Sequence, residues 1–227
     1  MKRTLTVALA GNPNAGKTTL FNNLTGSRQH VGNYPGVTVE RKEGVRRHGD
    51  YELHIVDLPG IYSLTANSAE ERIARDFIIE EKPDVVVDIV DASNLERNLY
   101  LAVQLLELGA PLVLAFNMTD EAKARGYAFD LEKLSQFFHA LIVETVGHKG
   151  LGTESLLETI VSRANDPNGV HDRPLVDYGR EIEEEIGRIE NLIEKEPLPE
   201  GYSARWLAVK LLEGDGEIRA QADSPEI

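Results

Sequence analysis

Residues 11–18 read Gly11-Asn12-Pro13-Asn14-Ala15-Gly16-Lys17-Thr18, a glycine, four residues and then Gly-Lys-Thr. The run follows the apolar stretch 5–10 and precedes the helix-compatible stretch 19–24, which opens on Thr19. A strand that feeds a glycine-rich turn into a helix directs backbone N–H groups onto phosphate oxygens, and the helix N-terminus adds partial positive charge. In this context Lys17 reaches the β- and γ-phosphates of a nucleotide, and the Thr18 hydroxyl holds Mg²⁺.

Three further segments have the chemistry to complete such a site. Asp57-Leu58-Pro59-Gly60 follows an apolar strand, the third along the chain. Asp57 is placed to hold Mg²⁺ through water, and the Gly60 N–H to meet the γ-phosphate. Asn117-Met118-Thr119-Asp120 follows the apolar run 112–116. A carboxylate at Asp120 accepts two hydrogen bonds from the N1–H and 2-amino group of guanine, which adenine cannot supply, and such a site rejects the wrong base steeply. Lysine is usual at the second position of this motif; Met118 packs on the base instead. Gly36-Val37-Thr38, with the turn formers Gly32 and Pro35 before it, supplies a switch threonine that closes on Mg²⁺. Gly147-His148-Lys149 stands where small GTPases carry Ser-Ala-Lys. The His148 N–H is available to the guanine O6, while the bracing serine is missing.

The group that performs hydrolysis is less plain. Ile61 follows Gly60, where Ras-type proteins place a glutamine that orients the attacking water, and an isoleucine can neither donate nor accept a hydrogen bond. Asn14 then has two readings, as a ligand for K⁺ beside the phosphates or as a residue that only stabilises the turn. Asn14, Lys17, Thr38 and Gly60 form the candidate catalytic set, and turnover is expected to be slow and stimulated by K⁺.

These loops need a frame. β-branched apolar runs at 5–10, 53–56, 85–90, 112–116 and 141–143 alternate with helical stretches at 95–108, 131–139 and 154–164, and 37–47 reads as a more polar edge strand. That alternation predicts an α/β fold, a mostly parallel six- or seven-stranded sheet flanked by helices, with the loops at the carboxyl ends of its strands. The composition shifts at residues 165–169, dividing the chain into a nucleotide domain over 1–166 and a small all-helical domain over 171–227. Ile182, Ile186, Ile189 and Ile193 recur at helical spacing over 178–196, a Pro-rich stretch at 197–201 ends that helix, and Ser203 caps another over 203–213. The tail 215–227 reads as polar and frayed.

Composition excludes several classes. The formal net charge of −14 speaks against a nucleic-acid-binding surface, though not against a phosphate pocket built from local donors. The chain has no cysteine, hence neither a disulfide nor a thiolate metal site, and its six histidines show no ligand spacing. A cleaved signal peptide would remove the phosphate loop. No uncharged apolar run approaches the ~18 residues of a membrane span, so the chain is expected to be soluble.

Residues 11–18, 32–42 (Gly-Asn-Tyr-Pro-Gly-Val-Thr-Val-Glu-Arg-Lys), 57–64, 91–101 (Asp-Ala-Ser-Asn-Leu-Glu-Arg-Asn-Leu-Tyr-Leu), 117–120 and 205–215 together resemble the cytoplasmic N-terminal part of the bacterial ferrous iron transport protein B family. The resemblance covers nearly the whole chain. It implies a P-loop GTPase domain with a small helical domain, binding GTP or GDP with Mg²⁺, Asn14 as a K⁺ ligand and Thr38 as the switch ligand of Mg²⁺. It implies a regulator of ferrous iron uptake at the cytoplasmic face of the bacterial inner membrane, whose partner is a membrane-embedded permease region of the same full-length protein; homo-oligomerisation is left open. Two alternatives stand beside it. One is a soluble ribosome- or tRNA-associated GTPase, for which the acidic 171–227 segment offers no basic RNA-binding module. The other is a guanine-nucleotide sensor with incidental hydrolysis.

Overall fold

The structure, a computed structural model, describes residues 3–26, 29–65, 68–166, 176–195 and 201–222. Seven strands form one sheet: β1 (Arg3–Gly11), β2 (Gln29–Asn33), β3 (Glu40–His48), β4 (Tyr51–Asp57), β5 (Val85–Asp91), β6 (Leu112–Asn117) and β7 (Leu141–Glu144). Their spatial order is β2-β3-β4-β1-β5-β6-β7. β1 pairs in parallel with both β4 and β5, β5 with β6 and β6 with β7, while β2–β3 and β3–β4 are antiparallel. The chain therefore leaves β1 to one side and later returns to its other side. The carboxyl end of β1 is a topological switch point, where open α/β sheets bind ligands.

Alternation along β1 sorts the core into two layers. Val7 and Leu9 face Leu20, Phe21 and Leu24 of α1 (Lys17–Thr25) and Leu156, Leu157 and Ile160 of α6 (Thr153–Ala164). Ala8 and Ala10 face α2 (Ala69–Glu81), α3 (Leu95–Glu107), α4 (Thr119–Ala124) and α5 (Leu131–Phe138) through Ala74, Phe77, Leu101, Leu105, Ala122 and Phe138. Both faces are covered, so the central parts of the parallel strands are mostly apolar, and each fully buried aliphatic side chain contributes about 1.5–3 kcal/mol.

The C-terminal part is helical: α7 (Arg180–Ile193), α8 (Ala204–Glu213) and α9 (Gly216–Ala222). The Ser203 hydroxyl caps α8 by accepting the Trp206 N–H at 3.1 Å. Ile186 of α7 packs on Ala208 and Val209, and the fully buried Trp206 packs on Ile218 and on Leu108 after α3. Polar contacts reinforce that junction. The buried Arg75 of α2 donates to Glu217 at 3.0 Å, and Lys210 Nζ reaches the Thr65 hydroxyl at 3.3 Å. Arg205 grips Glu183 with two bonds of 2.9 Å.

Several expectations change. The polar strand begins at Glu40 rather than 37, because residues 34–39 are taken up by a turn. β3 is not the edge either. β2, whose five residues are all exposed, pairs outside it, so Asp57 ends the fourth strand rather than the third. α2 is an additional helix; it starts where the Ser68 hydroxyl accepts the Glu71 N–H at 3.1 Å, with Glu70 and Glu71 favourable in its first turn. The tail is not frayed over its first part, since burial of Ile218 and the Asp215 carboxylate at the N–H groups of Glu217 and Ile218 order α9. Most of the expected boundary at 165–169 lies outside the described residues.

One core residue is out of place chemically. Asp88, between Val86 and Val90 on β5, is buried, its Oδ2 has no hydrogen-bond partner, and burial pushes its carboxyl up to about 7. An unfolded aspartate titrates near 4, so between about pH 4 and 7 the folded chain holds a proton that the unfolded chain has released. The contribution of this group is fully present below about pH 4 and is lost as pH rises through 7. Asp88→Asn should therefore be more stable than the parent at pH 8 by about 1–3 kcal/mol in urea denaturation, with the gap closing toward pH 5. An equal or lower stability at pH 8 would contradict this.

Candidate functional site

The loop after β1 is shaped by backbone constraints. Gly11 has φ 148 and Gly16 φ 88, while Asn14 takes a left-handed φ of 68, a conformation that asparagine tolerates. A Cβ on Gly16 would stand 2.2 Å from Asn117 Nδ2, so no side chain fits there. The Leu20 N–H bonds the Gly16 carbonyl at 3.0 Å, and the earlier N–H groups of α1 have no intrahelical acceptor. They form the donor end of a helix, suited to phosphate oxygens.

Lys17 and Asp57 meet at this end of the sheet as a buried ion pair. Burial holds the Asp57 carboxyl above the usual carboxylate range, and the Lys17 ammonium offsets part of that rise. Beyond Asp57 the chain stays against β1. The Leu58 N–H bonds the Leu9 carbonyl at 3.0 Å and the Ile61 N–H the Gly11 carbonyl at 3.2 Å. A Cβ on Gly60 would lie 3.4 Å from Pro13 Cα, so Gly60 sits directly on the phosphate loop. Ile61 is buried in one apolar cluster with Leu58 and Leu64.

Thr38 is exposed in the β2–β3 turn and makes no side-chain hydrogen bond to Lys17 or Asp57. That turn is anchored at its start by the buried Tyr34, whose N–H bonds the Val39 carbonyl at 3.0 Å. Burial pushes the Tyr34 hydroxyl up to about 12. Gly36 has φ 74, and Val37 and Thr38 beside it are exposed.

At the end of β6, Asn117 is 2% exposed, and both the nitrogen and the oxygen of its amide are engaged. Its Nδ2 donates to the Ala15 carbonyl of the phosphate loop at 2.9 Å, and its Oδ1 accepts the Gly147 N–H at 2.9 Å and the Thr145 hydroxyl at 3.2 Å. Met118 has φ 59, and its methyl lies 3.7 Å from where a Gly16 Cβ would stand, so it folds over the phosphate loop. Asp120 is part-exposed, bonded by Lys149 Nζ at 2.7 Å with His148 Nε2 at 3.6 Å. The Lys149 bond holds its carboxyl below the usual range, keeping it ionised.

The missing serine is replaced by a residue that sequence reading passed over. Thr145 supplies the bracing hydroxyl, one position after β7, where the pairing of Phe116 with Glu144 sets it beside Asn117. Asn23 of α1 braces the same loop; its amide donates to the Gly147 carbonyl at 2.7 Å. A polar residue directly after a strand aligned with β6 was the available signal for Thr145; Asn23 offered none.

Two family models match this chain, Ferrous iron transport protein B over residues 5–160 and the FeoB cytosolic helical domain over residues 178–227. The Fe(2+) transport protein A/Fe(2+) transporter FeoB fusion protein of Porphyromonas gingivalis is 48% identical over 215 residues, 93% of this chain and 25% of that protein. The Fe(2+) transporter FeoB of Escherichia coli K12 is 44% identical over 223 residues, 96% of this chain and 28% of that protein. The chain thus spans about a quarter of the length of the curated relatives it matches. Among solved structures, the cytosolic domain of the T. maritima FeoB iron transporter in a GDP form superposes with a TM-score of 0.92 at 40% identity, over 99% of this chain and 89% of that one. Its GMPPNP form gives 0.89 at 41% identity, over 98% and 88%. Among the described residues, no helix is long and apolar enough to cross a membrane.

Removing the Asn117 amide leaves buried groups of two loops unpaired, at about 1–3 kcal/mol each. Asn117→Ala should lower the urea midpoint by an amount equivalent to about 2–4 kcal/mol. Unchanged stability would mean that the three loops do not depend on this side chain.

Proposed function

This chain belongs to the ferrous iron transport protein B family, and from that premise we propose that it binds and hydrolyses GTP as the regulatory part of a membrane iron transporter. It has the fold of a P-loop GTPase followed by a helical segment. The observation that carries the reading is the Asn117 brace, which sets the phosphate loop, the base-reading Asp120 and the 145–149 loop in one arrangement.

Each residue then has a task. The free N–H groups of the first α1 turn and the Lys17 ammonium bind the β- and γ-phosphates. Asp120 accepts the guanine N1–H and 2-amino donors, Met118 covers the base, and the His148 N–H serves O6, since the N–H groups of Gly147 and Lys149 are bonded to Asn117 and Val146. The Gly60 N–H, held at Pro13, meets the γ-phosphate. The oxygen donors Thr18, Asp57 (through water) and, once its turn closes, Thr38 suit a hard divalent cation. Mg²⁺ bound there would neutralise charge on the β- and γ-phosphate oxygens. Asn14 is exposed, and among the described residues no group bonds its amide, so its oxygen is available to a monovalent cation. K⁺ at that position would supply positive charge beside the transferred phosphate.

The buried Ile61 side chain favours slow hydrolysis, and a nucleotide sensor with incidental turnover is the second reading. In both readings the helical segment α7–α9 carries nucleotide state to the membrane part of a longer protein. Residues 1–166 and 171–227 are the proposed units.

Single-turnover GTP hydrolysis in matched KCl and NaCl tests the reading. K⁺ should accelerate the parent by at least about ten-fold, and Asn14→Ala should lose the acceleration. Equal rates in the two salts would remove Asn14 from the chemistry.

A further inference from the structure

Residues 91–101 contribute no group to the phosphate or base contacts described above, yet they are tightly built. The Asp91 carboxylate accepts the Ser93 N–H at 2.8 Å, the buried Asn98 Oδ1 accepts the Asp91 N–H at 3.2 Å, and Asn98 Nδ2 donates to the Asn94 carbonyl at 2.9 Å. This self-braced turn fixes how α3 starts, and so which face it presents to residues 60–64. Two contacts lie on that face, seven residues apart and hence two helical turns. The Arg97 guanidinium stands over the Tyr62 ring, 4.4 Å from its centroid, and Gln104 Oε1 accepts the Leu64 N–H at 2.6 Å. The Arg97 carbonyl also accepts Asn12 Nδ2 of the phosphate loop at 3.4 Å.

From this juxtaposition we infer that α3 is the backstop of the 60–64 segment, and that Arg97 is a positioning residue which keeps Gly60 on the phosphate loop through the Tyr62 ring. Gly60 is confined between the Leu58 N–H bond to Leu9 before it and, after it, the Ile61 N–H bond to Gly11 and the Tyr62–Arg97 stack. Arg97 is exposed, so its place on α3 is not explained by the core. Tyr62 is 41% exposed, and between the buried Ile61 and Leu64 the guanidinium gives its ring a partner. Tighter seating of Gly60 favours the triphosphate, since only a γ-phosphate meets its N–H. That consequence rests on the GTPase reading; the seating itself does not.

The experiment has one arm without nucleotide and one with it. In the first, amide hydrogen exchange at Ile61 and Leu64 is measured in the parent, Arg97→Ala, Tyr62→Ala, Tyr62→Phe and the double alanine variant. Exchange should quicken by about two- to five-fold in each single alanine variant, the range expected for an exposed cation–π contact. It should be no faster in the double variant and unchanged in Tyr62→Phe. The second arm compares single-turnover GTP hydrolysis with GDP affinity. Arg97→Ala should slow hydrolysis by a similar factor and leave GDP affinity within about two-fold, with Arg97→Lys partly restoring the rate. Unchanged exchange, or effects of Arg97→Ala and Tyr62→Ala that multiply, would overturn the inference. If the parent hydrolyses no GTP, the functional reading fails while the exchange arm still decides this one.

Discussion

One buried amide holds the candidate site together. Asn117 spends its side chain on two loops at once, donating to the Ala15 carbonyl and accepting from the Gly147 N–H and the Thr145 hydroxyl. Each of these groups is buried or nearly so, and each would be costly to leave unpaired. The amide also explains the glycine at 16, whose missing Cβ is the space Nδ2 occupies. The phosphate loop, Asp120 and the 145–149 loop come from three separate strand ends. Their mutual geometry rests on this contact more than on any single motif.

The sheet makes that contact reachable. β1 lies between β4 and β5, and β6 follows β5, all parallel, so Gly11, Asp57, Asp91 and Asn117 emerge at one edge. The chain is strongly acidic, yet its site is suited to a polyanion. Net charge acts over a screened distance of roughly 8–10 Å, whereas the N–H groups of the α1 terminus and the Lys17 ammonium act in direct contact. Local donors therefore decide the matter.

The phosphate loop, Asp57, Asn117 and Asp120 were legible in the sequence because each motif is short and its role depends on residues a few positions apart. β1, β4, β5 and β6 were legible as β-branched runs that a doubly covered parallel sheet demands. β2 was not, because Gln29-His30-Val31-Gly32-Asn33 is exposed and becomes a strand only by pairing with β3. α9 depends on burial of Ile218 against Trp206, a tertiary contact that a polar tail does not advertise. Asn23 and Arg97 act on residues distant in sequence, Gly147 and Tyr62, and no local pattern announces such a pair, whereas Thr145 has a signal only in its place directly after the strand that pairs with β6.

The central claim is that the ends of β1, β4 and β6 form a guanine-nucleotide site. Calorimetric titration of this chain with GDP, GTP and ATP, in the presence of Mg²⁺, tests it most directly. Saturable one-to-one binding of GDP and GTP, with ATP weaker by at least about a hundred-fold, is the expected result. Equal affinity for ATP, or no heat with any of the three, would contradict the assignment of Asp120 to the base and of residues 11–18 to the phosphates.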